Sequence, residues 1–314
     1  MPDARRLAEA AAQPVPPPVN GERTHGRSAR YIDLLDPAGD YNFRHFRIRH
    51  MLAELLRAGL APGCEAPDFD LPSTDCTQVK LSDLRGRPVL VHFVSYTCPV
   101  TRGGVHVMGE LHRLYGEQVQ FVEVLVRQAH PGERRGAYRS YQEKLDDAYA
   151  YKREERIPWP VLIDDLAGTA QRAYGGLAAG VYLIDKHGTV AFCGTWGQAP
   201  ALRHAIDELL ARDGGGAPAG KGTDRRPHLA AAIVAGQGGP IRGGRQALID
   251  LELGFPGAMV LMTIGRAARP VLAPLALRTT PLPRRQRAAL LAGLVATGAA
   301  VGLGLRHRRR ARAR

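Results

Sequence analysis

An apolar run that leads directly into a cysteine, a proline and a helical pattern constrains this fold more than any other feature. The run VLVHFV, residues 89–94, is continuous, which is typical of a central strand covered on both faces. Cys98 and Pro99 follow it, and apolar residues then recur at helical intervals to residue 115. The sequence therefore predicts that Cys98 lies where a buried strand passes into a helix.

Strand and helix signals alternate around this unit, which predicts an α/β domain built on a central sheet. The predicted strands cover residues 69–71, 79–81, 89–94, 121–126, 161–163, 181–184 and 189–192. The predicted helices cover residues 99–115, 136–156, 167–174 and 200–212. The first two strands and the last two are each expected to form a hairpin.

The predicted position of Cys98 favours a reactive thiolate. Free backbone N–H groups and the positive end of the helix dipole stabilise negative charge at a helix N-terminus. Thr97 is expected to donate its hydroxyl to this sulfur or to cap the helix. Arg102, one turn later, is expected to lower the pKa of Cys98 or to hold a carboxylate substrate. A buried structural cysteine and a solvated arginine are the alternatives.

The spacing of the cysteines limits the redox chemistry. Thr101 occupies the second position of a CxxC pair, so Cys98 has no neighbouring partner for a disulfide. An oxidised Cys98 would then be resolved by another thiol. The other cysteines, for which structural roles are the simpler interpretation, are Cys64, Cys76 and Cys193. Their spacing indicates neither a secreted disulfide framework nor a zinc site, and we expect no metal and no cofactor.

Three segments carry a family resemblance: GCEAPDFDLP from residue 63, SYTCP from residue 95 and FVEVLVRQAHPGE from residue 121. They resemble the redoxin and peroxiredoxin branch of thioredoxin-fold proteins, and their motifs resemble most closely those of the iodothyronine deiodinases. The resemblance continues to about residue 210. It implies a thioredoxin-like fold with a mixed central sheet flanked by helices, and it puts Cys98 in the place of the catalytic selenocysteine.

The resemblance also assigns neighbours to Cys98. Thr97 matches the threonine beside the selenocysteine, and His130 matches the motif histidine. His130 follows the next strand and is expected at the same sheet edge, as a general acid or base or, alternatively, as a turn residue. Gln128 stands where the deiodinases have glutamate, and Ser95 is the nearest counterpart of the peroxiredoxin threonine.

The flanking segments differ in composition from the predicted redox domain, residues 62–212. Residues 1–41 are rich in Pro, Ala and charge, which predicts a disordered leader. Residues 42–61 predict a basic amphipathic helix that docks on the main domain or, alternatively, on a membrane. Residues 213–314 are predicted to be a basic linker and tail.

The charge of the chain is concentrated in this tail, because 17 Lys and Arg face three Asp and Glu in residues 221–314. Such an excess predicts an anionic partner. Residues 288–305 form an uncharged segment of 18 residues. We therefore expect residues 254–314 to associate with an anionic membrane, spanning it or lying in its interface. Nucleic acid is not expected, because aromatic residues do not alternate with the basic ones.

These features predict a thiol-dependent oxidoreductase. Cys98 would attack a peroxide, a disulfide or a halogenated substrate, and an external thiol would supply the reducing equivalents. The alternative is a non-enzymatic redox sensor or a membrane-tethered interaction module. Because the N-terminus lacks an apolar signal segment, we expect a cytoplasmic redox domain that associates with the membrane through its tail.

Overall fold

The computed structural model describes residues 41–56, 59–176, 178–197, 199–216, 222–225 and 228–281, together with residues 283 and 285. The predicted leader, apart from Tyr41, and the apolar segment 288–305 lie outside these residues. The helices are α1 (Ile48–Leu56), α2 (Pro99–Tyr115), α3 (Tyr141–Glu155), α4 (Thr169–Ala173), α5 (Ala199–Leu210), α6 (Ala230–Ala235), α7 (Gly238–Gly243), α8 (Arg245–Gly254), α9 (Ala258–Ala267) and α10 (Arg269–Ala276). The strands are β1 (Asp70–Pro72), β2 (Gln78–Lys80), β3 (Val89–Val94), β4 (Gln120–Leu125), β5 (Val161–Ile163), β6 (Val181–Ile184), β7 (Val190–Gly194) and β8 (Thr223–Asp224).

The central sheet has the order β5-β4-β3-β6-β7-β8. β3 pairs in parallel with β4 and antiparallel with β6, and β6 and β7 form the second predicted hairpin. All six residues of β3 are buried. Leu90 and Val94 enter one apolar core and Val91 and Phe93 the other, as the two-residue period of a strand requires. This mixed sheet, flanked by helices, is the thioredoxin-like fold that the sequence predicts.

Local sequence patterns predict the bounds of the elements around the site accurately. The predicted hairpin near residue 70 is formed by β1 and β2, and the predicted bounds of β3, α2, β5 and β6 agree with the structure. Proline at the first position of α2 costs no hydrogen bond, because that N–H has no partner within a helix.

The prediction of a helix from residue 136 is wrong, since α3 begins at Tyr141. Its start is fixed by a reciprocal cap: the Ser140 hydroxyl accepts the N–H of Glu143 at 3.2 Å, and the Glu143 carboxylate accepts the N–H of Arg139 at 2.8 Å. The S-x-x-E pattern of a capping box is therefore what defines this terminus.

Among the described residues of the segment predicted as one helix over 42–61, only α1 is helical. Phe43 and Phe46 precede the helix and are buried. Their rings pack on histidines: Phe43 stacks on His50 with a centroid distance of 3.9 Å, and Phe46 is tilted against His130 at 4.3 Å. Aromatic packing against the main domain overrides the local helical spacing here. The predicted docking of this segment on the main domain is observed.

The C-terminal region also differs from the division we predicted after residue 212. β8 adds to the sheet beside β7, and α6 and α7 pack on α2. The approach is close at Gly103 of α2, where a Cβ atom would lie 2.6 Å from the backbone of Ala231. Residues up to Thr279 therefore belong to the same compact unit as the sheet.

This packing makes two neighbouring glycines of α2 respond differently to substitution. Gly103→Ala should lower the free energy of unfolding, because its methyl group meets the α6 backbone. Gly104→Ala is the matched control, since nothing lies within 4 Å of its added Cβ, and it should raise stability by about 0.5–1 kcal/mol through helix propensity. Chemical denaturation of the full chain measures both. Equal responses of the two variants would contradict the packing of α6 on α2.

Candidate active site

Cys98 is the N-cap residue of α2 and follows β3 after a short turn. Its backbone is extended, its N–H donates to the Ser95 carbonyl at 3.1 Å, and its own carbonyl accepts the N–H of Arg102 at 3.0 Å. The residue is 6% exposed. The turn thus places the cysteine at the N-terminus of a 17-residue helix, where free N–H groups favour a thiolate.

Thr97 joins the ends of β3 and β4. Its hydroxyl donates to Oε1 of Gln128 at 2.9 Å and accepts the N–H of His130 at 3.0 Å. The hydroxyl therefore does not donate to the sulfur, as one expectation had it, and no side chain of a described residue caps the start of α2. A hydroxyl has one proton to donate, and Gln128 receives it.

Ser95 makes a second connection between the same loops. Its hydroxyl accepts the N–H of Ala129 at 2.8 Å, and its N–H donates to the Thr101 hydroxyl at 3.2 Å. Ser95 and Thr97 are both almost completely buried, so these bonds form away from solvent. The loop that carries Gln128 and His130 is therefore held directly against the turn that carries Cys98.

Gln128 leads to a buried polar network that we did not predict. Its amide nitrogen donates to Oδ2 of Asp147 at 2.6 Å and to the Tyr138 hydroxyl at 2.9 Å. Asp147 also pairs with Arg135 at 2.9 Å. Burial raises the pKa of Asp147 to about 6, against the opposing effect of Arg135. The sequence does carry a signal, because Asp147 lies three residues after Lys144 and four before Tyr151 and so falls on the buried side of α3.

His130 is buried as a neutral imidazole beneath Phe46. Burial lowers its pKa to about 3, and the nearby His50 of α1 acts in the same direction. Its Nδ1 atom is buried and has no hydrogen-bond partner among the residues that the structure describes. The structure thus brings His130 to the sheet edge that carries Cys98, as predicted, in a state unsuited to donating a proton at neutral pH.

Arg102 faces a different partner from the one we expected. Its Nε atom pairs with Glu155 at 2.9 Å, and Arg242 contacts the same carboxylate. The Glu155 side chain is 3% exposed, so it balances these charges in a largely dry environment. The prediction that Arg102 acts on the sulfur finds no support in this pairing.

Two segments cover Cys98. Met51 and Leu55 of α1 pack against a small apolar cluster formed by Cys98, Ala179 and Trp196. In addition, α7 comes so close that a Cβ atom on Gly239 would lie 2.7 Å from the Cys98 carbonyl. We call residues 41–56 the N-terminal cover. This segment buries the site and leaves little room beside Cys98 for a large partner.

The remaining cysteines differ in their surroundings, and all are free thiols. Burial raises the pKa of Cys193 to about 11, whereas Cys76 is exposed beside the Tyr149 hydroxyl at 3.6 Å. Cys64 is partly buried. Within the part of the chain that the structure describes, no group of three or more His, Cys, Asp or Glu side chains is arranged to hold a metal ion.

The burial of His130 generates a prediction about pH. An unfolded histidine binds a proton near pH 6.5, whereas native His130 does so only near 3, so stability is lost as the pH falls through this window. His130→Gln should remove this loss, which is on the order of 2–3 kcal/mol at about pH 4.5. The exposed His106 of α2 supplies the control variant His106→Gln. Denaturation across pH 4–8 measures the slopes, and parallel curves for wild type and His130→Gln would contradict the assignment.

Residues 62–193 match the model of the AhpC/TSA family, and this part of the chain has a thioredoxin-like fold. The thiol-disulfide oxidoreductase ResA of Geobacillus thermodenitrificans is 29% identical over 135 residues, which cover 43% of this chain and 69% of that protein. Among solved structures, an uncharacterized conserved protein from Geobacillus kaustophilus is similar at 20% identity and a TM-score of 0.43, over 52% of this chain and 89% of that one. A thiol:disulfide interchange protein from Chlorobium tepidum is similar at 18% identity and a TM-score of 0.37, over 50% and 99%.

Proposed function

We propose that the protein is a thiol-disulfide oxidoreductase in which Cys98 is the nucleophile, and the match of residues 62–193 to the AhpC/TSA family supports this. The observation that carries this proposal is the position of Cys98 at the N-cap of α2, directly after the central strand. The name of the ResA relative supports the same chemistry. The polar network behind Thr97 supports the proposal too. Burying these polar groups costs free energy, and the network they form fixes the loop beside the cysteine.

The reaction proceeds in two exchanges. The Cys98 thiolate attacks one sulfur of a disulfide, forms a mixed disulfide and releases the other sulfur as a thiolate. Because Thr101 replaces a second cysteine of a CxxC pair, an external thiol resolves this intermediate. Its thiolate attacks the partner sulfur of the mixed disulfide, forms a new mixed disulfide and releases Cys98 as a thiolate. A second external thiolate attacks that disulfide and releases the remaining substrate sulfur as a thiolate, so that two external thiols become one disulfide and supply two electrons to the substrate.

Peroxide and halogenated substrates are further candidates for the same sulfur. A peroxide would give a sulfenic acid on Cys98 with release of an alcohol or water, and two external thiols would then restore the thiol. A deiodinase-like role gains one support from the network: Gln128 lacks the carboxylate of those enzymes, but Asp147 supplies one 2.6 Å from its amide nitrogen. The disulfide is favoured by the name of the ResA relative, a thiol-disulfide oxidoreductase.

His130 acts in this scheme when the N-terminal cover opens. The closed form keeps the imidazole dry beneath Phe46 and beside His50, which are the causes of its low pKa. Displacement of the cover admits water, removes both causes and returns His130 to the range in which it exchanges protons with thiols. Opening therefore exposes the sulfur and activates its neighbouring base in one step.

The choice of nucleophile is tested by cysteine replacement. Cys98→Ser should abolish catalytic reduction of hydroxyethyl disulfide by excess glutathione, whereas the triple variant Cys64→Ser, Cys76→Ser, Cys193→Ser should retain it. Retention of turnover in Cys98→Ser, or its loss in the triple variant, would show that another thiol is the nucleophile. Stoichiometric oxidation of Cys98 without turnover would favour the redox sensor instead.

The N-terminal cover is tested by the rate at which Cys98 is alkylated. Phe46→Ala and Leu55→Ala remove buried contacts of the cover, so they should accelerate modification of Cys98 by iodoacetamide roughly tenfold or more. Leu52→Ala is the control, because Leu52 lies on the exposed side of the same helix at 41% exposure. Mass spectrometry of the Cys98 peptide distinguishes this thiol from the others. Equal rates in all three variants would contradict gating by the cover.

A further inference from the structure

The outer surface of the C-terminal helices is apolar where a water-soluble protein would be polar. Side chains spaced four residues apart, and so on one side of each helix, remain exposed: Leu253 on α8 at 77%, Val260 and Ile264 on α9 at 61% and 59%, and Val271 on α10 at 75%. The full set, which we call the C-terminal apolar face, comprises Ile249, Leu253, Val260, Leu261, Ile264, Val271 and Leu275. So many exposed large apolar side chains on three successive helices indicate an interaction site.

The inner side of these helices is already used. Gly265 of α9 lies against α6, where a Cβ atom would come within 2.6 Å of the Ile233 carbonyl, and Met262 is buried. α6 in turn packs on α2. The C-terminal apolar face is therefore the surface that remains after the helices have packed on the domain.

The charged residues of α9 and α10 are arginines, whereas α8 also carries Asp250 and Glu252. Residues 253–314 contain twelve arginines and neither Asp nor Glu. Arg266 and Arg269, the charged residues of α9 and α10, line a cavity of ≈ 270 Å³ together with Arg102. The structure pairs neither Arg266 nor Arg269 with a carboxylate of a described residue. The cavity thus offers guanidinium groups that suit a phosphate.

We propose that this surface docks on an anionic membrane, with the C-terminal apolar face in the bilayer interface and the arginine-lined cavity holding a lipid phosphate. Apolar burial and attraction to anionic headgroups are the two contributions that bind amphipathic helices to membranes. α9 has ten residues and is about 15 Å long, half of the hydrocarbon thickness, so it suits the interface. Among the described residues, no single helix is long and apolar enough to cross a bilayer, although α8 and α9, bent by 106°, meet that test as a pair.

The location of binding is tested by amide hydrogen exchange on the full chain. Vesicles of phosphatidylglycerol and phosphatidylcholine should protect residues 258–276, whereas pure phosphatidylcholine vesicles should not. Protection by inorganic phosphate but not by vesicles would assign the cavity to soluble anions and overturn the proposal. Protection confined to residues beyond 285 would also overturn it, because the distal arginines alone would then bind.

The contribution of the cavity is tested by charge removal. Arg266→Gln with Arg269→Gln should weaken vesicle affinity roughly 10- to 30-fold, from the usual contribution of a basic residue near an anionic surface. Arg139→Gln with Arg212→Gln is the matched control, because it removes two exposed arginines elsewhere. Equal weakening in both double variants would mean that net charge alone binds the membrane and would overturn the assignment of the cavity.

High salt separates the apolar contribution to membrane binding from the electrostatic contribution. Binding that survives high salt should fall at least tenfold in Ile264→Ser with Val271→Ser, because apolar insertion is not screened. Leu229→Ser is the control, since Leu229 is 48% exposed but precedes α6 and lies outside the C-terminal apolar face. Complete release of the wild-type protein by salt would restrict the interaction to surface charge and overturn insertion of the face.

Discussion

One hydroxyl group, that of Thr97, connects the two strand ends from which the site is built. It donates to Gln128 and accepts from the N–H of His130, so its loss would leave a buried acceptor and a buried donor unpaired. Each such group costs about 1–3 kcal/mol. Thr97 also fixes the orientation of the Gln128 amide group by binding its oxygen. The direction of the two amide N–H bonds is then fixed as well, so the hydrogen bonds of Gln128 to Tyr138 and Asp147 depend on Thr97.

The fold of the domain could be predicted because its signals are local. A continuous apolar strand, a proline at the first helical position and a two-residue alternation in the flanking hairpin depend on neighbours in sequence. The position of Cys98 follows from the same signals, and so does the approach of His130, since strands that pair in parallel end at one sheet edge. Thr97 was identified as a site residue, but its partners lie 31 and 33 residues away and were not visible.

What could not be predicted depends on tertiary packing. Phe46 fits a helical spacing, yet it precedes α1 and its ring packs against His130. This contact favours the observed conformation over a longer α1. The glycine-rich stretch of residues 236–244 is typical of a linker, but Gly239 lets α7 approach the Cys98 backbone more closely than any side chain would allow. Asp147 shows a third limit. A charged residue on a helix is predicted to face solvent unless its buried partner is known.

The two covers of Cys98 restrict what the site can admit. α7 is held by backbone contact at Gly239 and through its neighbours on α2, so moving it would disturb the core. The N-terminal cover is held by side chains, and α1 exposes Ile48 and Leu56 on its outer side, so it is the part that can move at lower cost. A peroxide is small enough to reach a sulfur that is 6% exposed through small fluctuations, whereas a disulfide brings a substituent on each sulfur and needs the cover displaced. Substrate size and the opening of the N-terminal cover are therefore linked by the geometry of the site.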